Sequence, residues 1–107
     1  MGDEIFELKA GILKVLAQPT RLKNLECLRR GEKSIHEIVQ AIHGEQSNIS
    51  RHISLMQKNH IVTTRKDGVR VMVKVKVKDP EIFNILGRVS KILKDQLNKQ
   101  EKLLLKI

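Results

Sequence analysis

The sequence predicts a mainly α-helical domain with one β-hairpin set between its fourth and last helices. Three observations carry that prediction. Apolar residues recur at steps of three and four in five separate stretches, the period of a helix with one face on a core. Val69 to Lys78 alternates strictly, with valine at each odd position and Arg70, Met72, Lys74, Lys76 and Lys78 between, the period of a half-buried strand. Two short helical stretches also meet at the three-residue break His43-Gly44-Glu45, and the second of them opens on polar side chains. Two helices around a tight glycine-containing turn form a helix-turn-helix, and the hairpin that follows makes it a winged one.

In chain order, Asp3 to Leu16 is the first helix, with Ile5, Leu8, Ile12 and Leu16 on one stripe and carboxylates in the first turn, where the helix dipole favours them. Gln18-Pro19 breaks it, and Pro19 suits the first position of a second helix running to about Arg30. Gly31 closes that helix. Ser34 with Glu37 three residues on is a capping box for a third helix that carries Ile35, Ile38, Val39 and Ile42. The fourth runs from Gln46 to Asn59, and Glu45 is an unusual N-cap for it. Ile61 to Lys66 and Val69 to Lys78 read as strands joined by Asp67-Gly68, a favoured two-residue hairpin turn. Asp79-Pro80 opens a last helix to about Gln100, with Ile82, Leu86, Val89, Leu93 and Leu97 on its stripe and Ile85 and Ile92 widening it. So broad an apolar face on so long a helix exceeds what one small core needs, and a partner chain is the expected cover.

The 107 residues suit one domain, helix-turn-helix about 34–59 and wing about 61–78, with dimerisation helices about 3–16 and 79–100. Aromatics are 2% of the chain, so Leu, Ile and Val must build the core, and base stacking on single strands is disfavoured. Residues 1–45 hold seven basic and seven acidic side chains, so the whole net charge of +9 falls on residues 46–107. Between 46 and 78 the balance is eight basic to one acidic, which fits a polyanionic partner as well as a merely solvated basic surface. Cys27 is alone, excluding a disulfide framework and a thiolate pair. The acidic start predicts no secretory signal and no apolar run has membrane-spanning length, so a cytoplasmic protein without membrane contact is expected.

Within the fourth helix, Ile49, Ile53 and Met56 form the core stripe, while Gln46, Ser47, Asn48, Ser50, Arg51 and Lys58 take the other face. Asn and Gln can bond base edges in pairs, Ser reaches bases or phosphates, and Arg reaches guanine or phosphate. The same residues would also suit an ordinary solvated face. Arg65, Lys66 and Arg70 at the hairpin tip are placed for phosphates or a minor groove.

Ala17 to Leu28 (AQPTRLKNLECL), the SRHI of the fourth helix and the hairpin VTTRKDGVRVMVKV together resemble the ArsR/SmtB family of repressors, over roughly residues 8–80. The resemblance implies a dimer formed by the first and last helices, through Ile5, Leu8, Ile12, Leu86, Val89, Leu93 and Leu97, that blocks transcription at an imperfect palindrome. It puts Gln46, Ser47, Asn48, Ser50 and Arg51 on the family's DNA-reading helix and Arg65, Lys66 and Arg70 on its wing. His52 matches a family histidine and is read as structural. Where many relatives carry a Cys-x-Cys metal site, this chain has Ser34-Ile35-His36, and no histidine follows His60 to build a site on the last helix. No metal or cofactor is therefore expected, Cys27 is read as a small apolar filler, and His36 and His43 as surface side chains. His60 stands where relatives often carry Gly, which makes Asn59 the candidate for the left-handed position.

The expected function is sequence-specific binding of double-stranded DNA at a palindromic operator by a homodimeric repressor lacking the usual metal-sensing cysteines. The alternatives are a winged-helix protein-interaction module or a non-specific DNA-binding protein. An enzyme is not expected, because no nucleophile–base pair, phosphate-binding glycine loop or catalytic carboxylate pair occurs.

Overall fold

The computed structural model describes residues 2–76 and 81–106. Its elements are α1 (Gly2–Leu16), α2 (Pro19–Cys27), β1 (Lys33–Ser34), α3 (Ile35–Ile42), α4 (Gln46–Lys58), β2 (Val62–Asp67), β3 (Arg70–Val75) and α5 (Glu81–Leu105). They fall into two compact units that part after Lys76. The expected Asp79-Pro80 helix start and the strand end at Val77 and Lys78 lie outside the described residues.

Local chemistry accounts for the helix ends. Gln18 caps α2 by accepting the Arg21 N–H at 2.9 Å, with Pro19 in the first turn. The helix stops at Cys27, three residues short of the expected Arg30, and Gly31 takes its positive φ beyond a further turn rather than at the helix end. Ser34 and Glu37 complete the capping box at 3.0 Å in both directions. Gly44 is required for close approach: a Cβ there would lie 2.5 Å from Ile49 Cδ1 and 3.3 Å from Ile42 Cγ1.

At the end of α4, His60 and not Asn59 takes the left-handed conformation, with φ 61°. The His60 N–H donates to Gln57 O and the Ile61 N–H to Met56 O, a pairing that needs the residue after the cap to be left-handed. Asn59 is instead the cap itself, its side chain donating to Leu55 O at 2.8 Å. Ile61 and Met56 are both buried, the apolar contact that accompanies this ending.

The sheet is antiparallel in the order β1-β3-β2. β1, two residues long, has no sequence signature of its own; it pairs Lys33 with Val73 and Ser34 with Met72. The hairpin register moves the expected turn by one residue. Asp67 pairs with Arg70, so Gly68 and Val69 are the turn residues. One positive φ suffices here, and Gly68 supplies it at 62° while Val69 stands fully exposed. Val71, Val73 and Val75 still share a face opposite Lys66, Thr64 and Val62, and Val73 is wholly buried. The core of the first unit is aliphatic: Leu25, Leu28, Ile38, Ile49, Ile53, Met56, Ile61, Val62 and Val73.

α1 buries Val15 and Leu16 but leaves Ile5, Leu8 and Ile12 exposed. α5 runs to Leu105, past the expected Gln100, and leaves Val89, Leu93 and Leu97 more than half exposed. No helix among the described residues is long and apolar enough to cross a membrane.

Candidate nucleic-acid interface

α4 is held from three sides. Ile49, Ile53 and Met56 bury its inner stripe. Thr64 Oγ1 of β2 donates to Gln57 Oε1 at 3.0 Å, and on the α2 side Arg21 Nε–H donates to His52 Nδ1 at 3.1 Å. The leading turn is left to solvent. Gln46 and Ser47 are exposed and Asn48 half-buried, and the first turn contains no carboxylate. Glu45 precedes α4 without capping it; its Oε1 accepts the Ser47 hydroxyl at 3.0 Å. The first N–H groups of a helix carry a partial positive charge. Polar side chains and those N–H groups make up this end of α4, with the Glu45 carboxylate turned onto Ser47 beside them.

The sequence-predicted residues separate into three groups. Gln46, Ser50 and Arg70 meet His36 in one cleft of about 350 Å³, which joins the leading end of α4 to the base of the hairpin turn. Asn48 and Arg51 line another of about 470 Å³, with Arg21, His52 and Lys58. Arg65 belongs to neither. Its Nε and Nη2 donate to the two carboxylate oxygens of Glu32, at 3.0 and 2.6 Å, a two-pronged pair between β2 and the loop before β1. This hydrogen bonding holds the Glu32 carboxyl below its ordinary range, and Glu32 raises Arg65 in turn. The wing-tip expectation for Arg65 did not include that partner. Lys66 is exposed.

Two side chains that spacing does not single out line the second cleft: Arg21, thirty-one residues from the His52 it bonds, and Lys58, named only as part of a polar face. His52 is structural, as expected. Burial first, then the Arg21 and Arg51 charges, lower its pKa, and with Nδ1 accepting, the ring proton sits on Nε2. Cys27 is half-buried, and burial followed by the Glu26 carboxylate pushes its thiol up, away from a reactive thiolate. His43 ends α3 in the left-handed conformation. Among the described residues no three His, Cys, Asp or Glu side chains stand close enough to hold a metal ion.

A helix-turn-helix with a hairpin wing and a cationic, carboxylate-free leading helix defines a winged-helix regulator of transcription that binds DNA. Residues 18–64 match the model of the bacterial regulatory proteins of the arsR family. The uncharacterized HTH-type transcriptional regulator Rv0081 of Mycobacterium tuberculosis (strain ATCC 25618 / H37Rv) is 29% identical over 93 residues, 86% of this chain and 80% of that protein. Its crystal structure superposes with a TM-score of 0.78 at 28% identity, covering 90% of this chain and 95% of that one. NolR from Sinorhizobium fredii gives 0.75 at 28% identity, over 85% and 89%. The arsenical resistance operon repressor of Staphylococcus xylosus is 38% identical over 61 residues, 57% of this chain and 59% of that protein. Over these spans the chain is similar to the regulators of the ArsR family.

Proposed function

We propose that this regulator works as a homodimeric repressor at a palindromic operator, reading bases with the first turn of α4 and gripping the backbone with the wing. The leading turn of α4 carries the reading: Gln46, Ser47 and Asn48 stand at a helix end that faces solvent and has no carboxylate in its first turn. Ser50 and Arg51 extend that surface, and Lys66 and Arg70 supply phosphate contacts, with Arg65 following once Glu32 releases it. Ile5, Leu8 and Ile12 of α1 and Leu86, Val89, Leu93 and Leu97 of α5 form the dimer surface, and the whole chain acts as one DNA-binding domain. The protein works in the cytoplasm, catalyses no reaction and uses no metal to leave its operator.

Selection of bound duplexes from a random pool tests this reading, with a two-fold symmetric consensus expected. Half-sites about 10 base pairs apart, or a multiple of that, are expected from reading helices roughly 34 Å apart. Asn48→Ala should cost roughly 1–3 kcal/mol on the selected operator and little on a scrambled duplex. Equal losses on both would turn the protein into a non-specific DNA coater. No enrichment from the pool would leave a protein-interaction module in its place.

A further inference from the structure

The cleft between α2 and α4 has a composition that the reading helix alone does not explain. Three cations line it, Arg21, Arg51 and Lys58, together with Asn48, His52 and Ser54 and no carboxylate. Two arginines elsewhere on this unit have carboxylate partners, Arg65 on Glu32 and Arg29 on Glu26. Here three cations share an open cleft of about 470 Å³ with no counter-charge among the lining residues, a composition that suits an anion.

Arg21 is fixed in place for such an anion. Its Nη1 donates to Val15 O at 3.0 Å and its Nε to His52 Nδ1 at 3.1 Å. A guanidinium has five N–H donors, so three remain for a ligand after these two bonds. His52 fits the role by being an acceptor at Nδ1; as a cation it could not hold Arg21. On α4 the residues Asn48, Arg51, His52, Leu55 and Lys58 follow one another at steps of three, one, three and three, which keeps them on one face. That face spans about 15 Å from Asn48 to Lys58 at the helical rise of 1.5 Å per residue. It begins beside the reading turn, at Asn48.

We propose that this cleft seats a phosphodiester of the DNA backbone flanking the base-reading end of α4, with Arg21, Arg51 and Lys58 as its ligands and His52 as the positioning residue for Arg21. The proposal rests on the DNA-binding reading above and adds α2 to the contacting elements. A guanidinium held by two bonds meets the flat pair of phosphate oxygens with little further ordering. The Lys58 ammonium at the far end acts as a point charge on the same strand.

Binding of the full chain to its selected operator and to a scrambled duplex, across a salt series, tests the site. Removing one cation from a phosphate should reduce the slope of log Kobs against log salt by about 0.9 per subunit. Arg21→Gln and Lys58→Gln should each lower the slope by that amount, weaken both duplexes by a similar factor of about ten, and leave the operator-to-scrambled ratio unchanged. Arg21 also ties α2 to the end of α1, so Lys58→Gln, at an exposed position, keeps the test alive if Arg21→Gln unfolds. His52→Leu should lower the slope as Arg21→Gln does, and His52→Asn, which returns an acceptor, should restore it. A wild-type slope in Arg21→Gln and Lys58→Gln, with the operator still bound, overturns the cleft alone. A wild type that binds no duplex overturns the DNA reading and the cleft together. Replacing chloride by inorganic phosphate at matched ionic strength should weaken wild type and Arg21→Gln equally. A phosphate-specific loss confined to wild type would assign the cleft to a free phosphorylated ligand and overturn the backbone assignment.

Discussion

Asn24 lies in α2 with no exposed surface, and neither its Oδ1 nor its Nδ2 has a hydrogen-bond partner among the described residues. A buried amide that loses its water and gains nothing costs about 1–3 kcal/mol. Leucine has the same branched skeleton, so Asn24→Leu should stabilise the fold by about 1–2 kcal/mol, read as a higher urea midpoint at unchanged m-value. A lower midpoint would mean that the amide is satisfied in solution. His52 carries the second prediction at this scale. Its folded pKa is lowered, by burial first and then by the Arg21 and Arg51 charges. The unfolded chain therefore binds the proton more readily. The stabilising contribution is complete above the ordinary histidine value of about 6.5 and is lost as pH falls through the depressed folded value. His52→Asn keeps an acceptor for Arg21 without a titrating proton, so its stability should fall less than that of wild type in that window. Parallel pH profiles for the two proteins would remove His52 from the linkage.

Between elements, two contacts decide how the reading helix and the wing are presented. The turn from α3 to α4 closes because Gly44 lets Ile49 and Ile42 come within van der Waals reach of the backbone. Gly44→Ala puts a methyl group 2.5 Å from Ile49 Cδ1, so the fully buried Ile49 side chain must shift within the core. A loss of about 1–3 kcal/mol is expected, as for other overpacked cores, measured by thermal or urea unfolding. A change within a few tenths would mean that Ile49 finds another rotamer without strain. The wing is tied down by Arg65 on Glu32. Removing the carboxylate frees a guanidinium for phosphate, so Glu32→Gln should tighten binding to every duplex. It should also steepen the salt slope by up to about 0.9 per subunit. Weaker binding in Glu32→Gln would make the pair a strut that the wing needs rather than a mask on it.

At the scale of the molecule, both terminal helices leave apolar side chains in solvent. Ile5, Leu8 and Ile12 on α1 and Val89, Ile92, Leu93 and Leu97 on α5 are all exposed, three of them spaced at four residues along α5. Replacing Val89 and Leu93 together by Glu should give a monomer that no longer binds the operator, since two half-sites bound independently forgo the avidity of a joined pair. Sedimentation at micromolar concentration checks it. A wild type that sediments as a monomer, or a Val89→Glu, Leu93→Glu protein that remains dimeric, would exclude α5 as the dimer surface.

Most of the elements were legible in the sequence because their causes are local. The capping box of Ser34 and Glu37, the stripe Ile49-Ile53-Met56 and the alternation of Val71, Val73 and Val75 each act over a few residues, so spacing alone reports them. The polar face of α4 follows from the same periodicity, while the class of partner needs the basic balance of residues 46–78 and the family resemblance as well. What spacing could not report was decided by contacts between distant parts of the chain. β1 exists only because Lys33 and Ser34 lie along β3, and the hairpin turns at Gly68-Val69 because the pairing of Asp67 with Arg70 extends the ladder to that point. The left-handed residue after α4 is His60 because Ile61 must reach Met56 in the core. Spacing puts Arg65 near the hairpin tip and Arg21 in a helix, and reports no partner for either. Glu32 and His52, thirty-three and thirty-one residues away, gave them their roles, since charge and hydrogen-bond partners depend on distance in space and not along the chain.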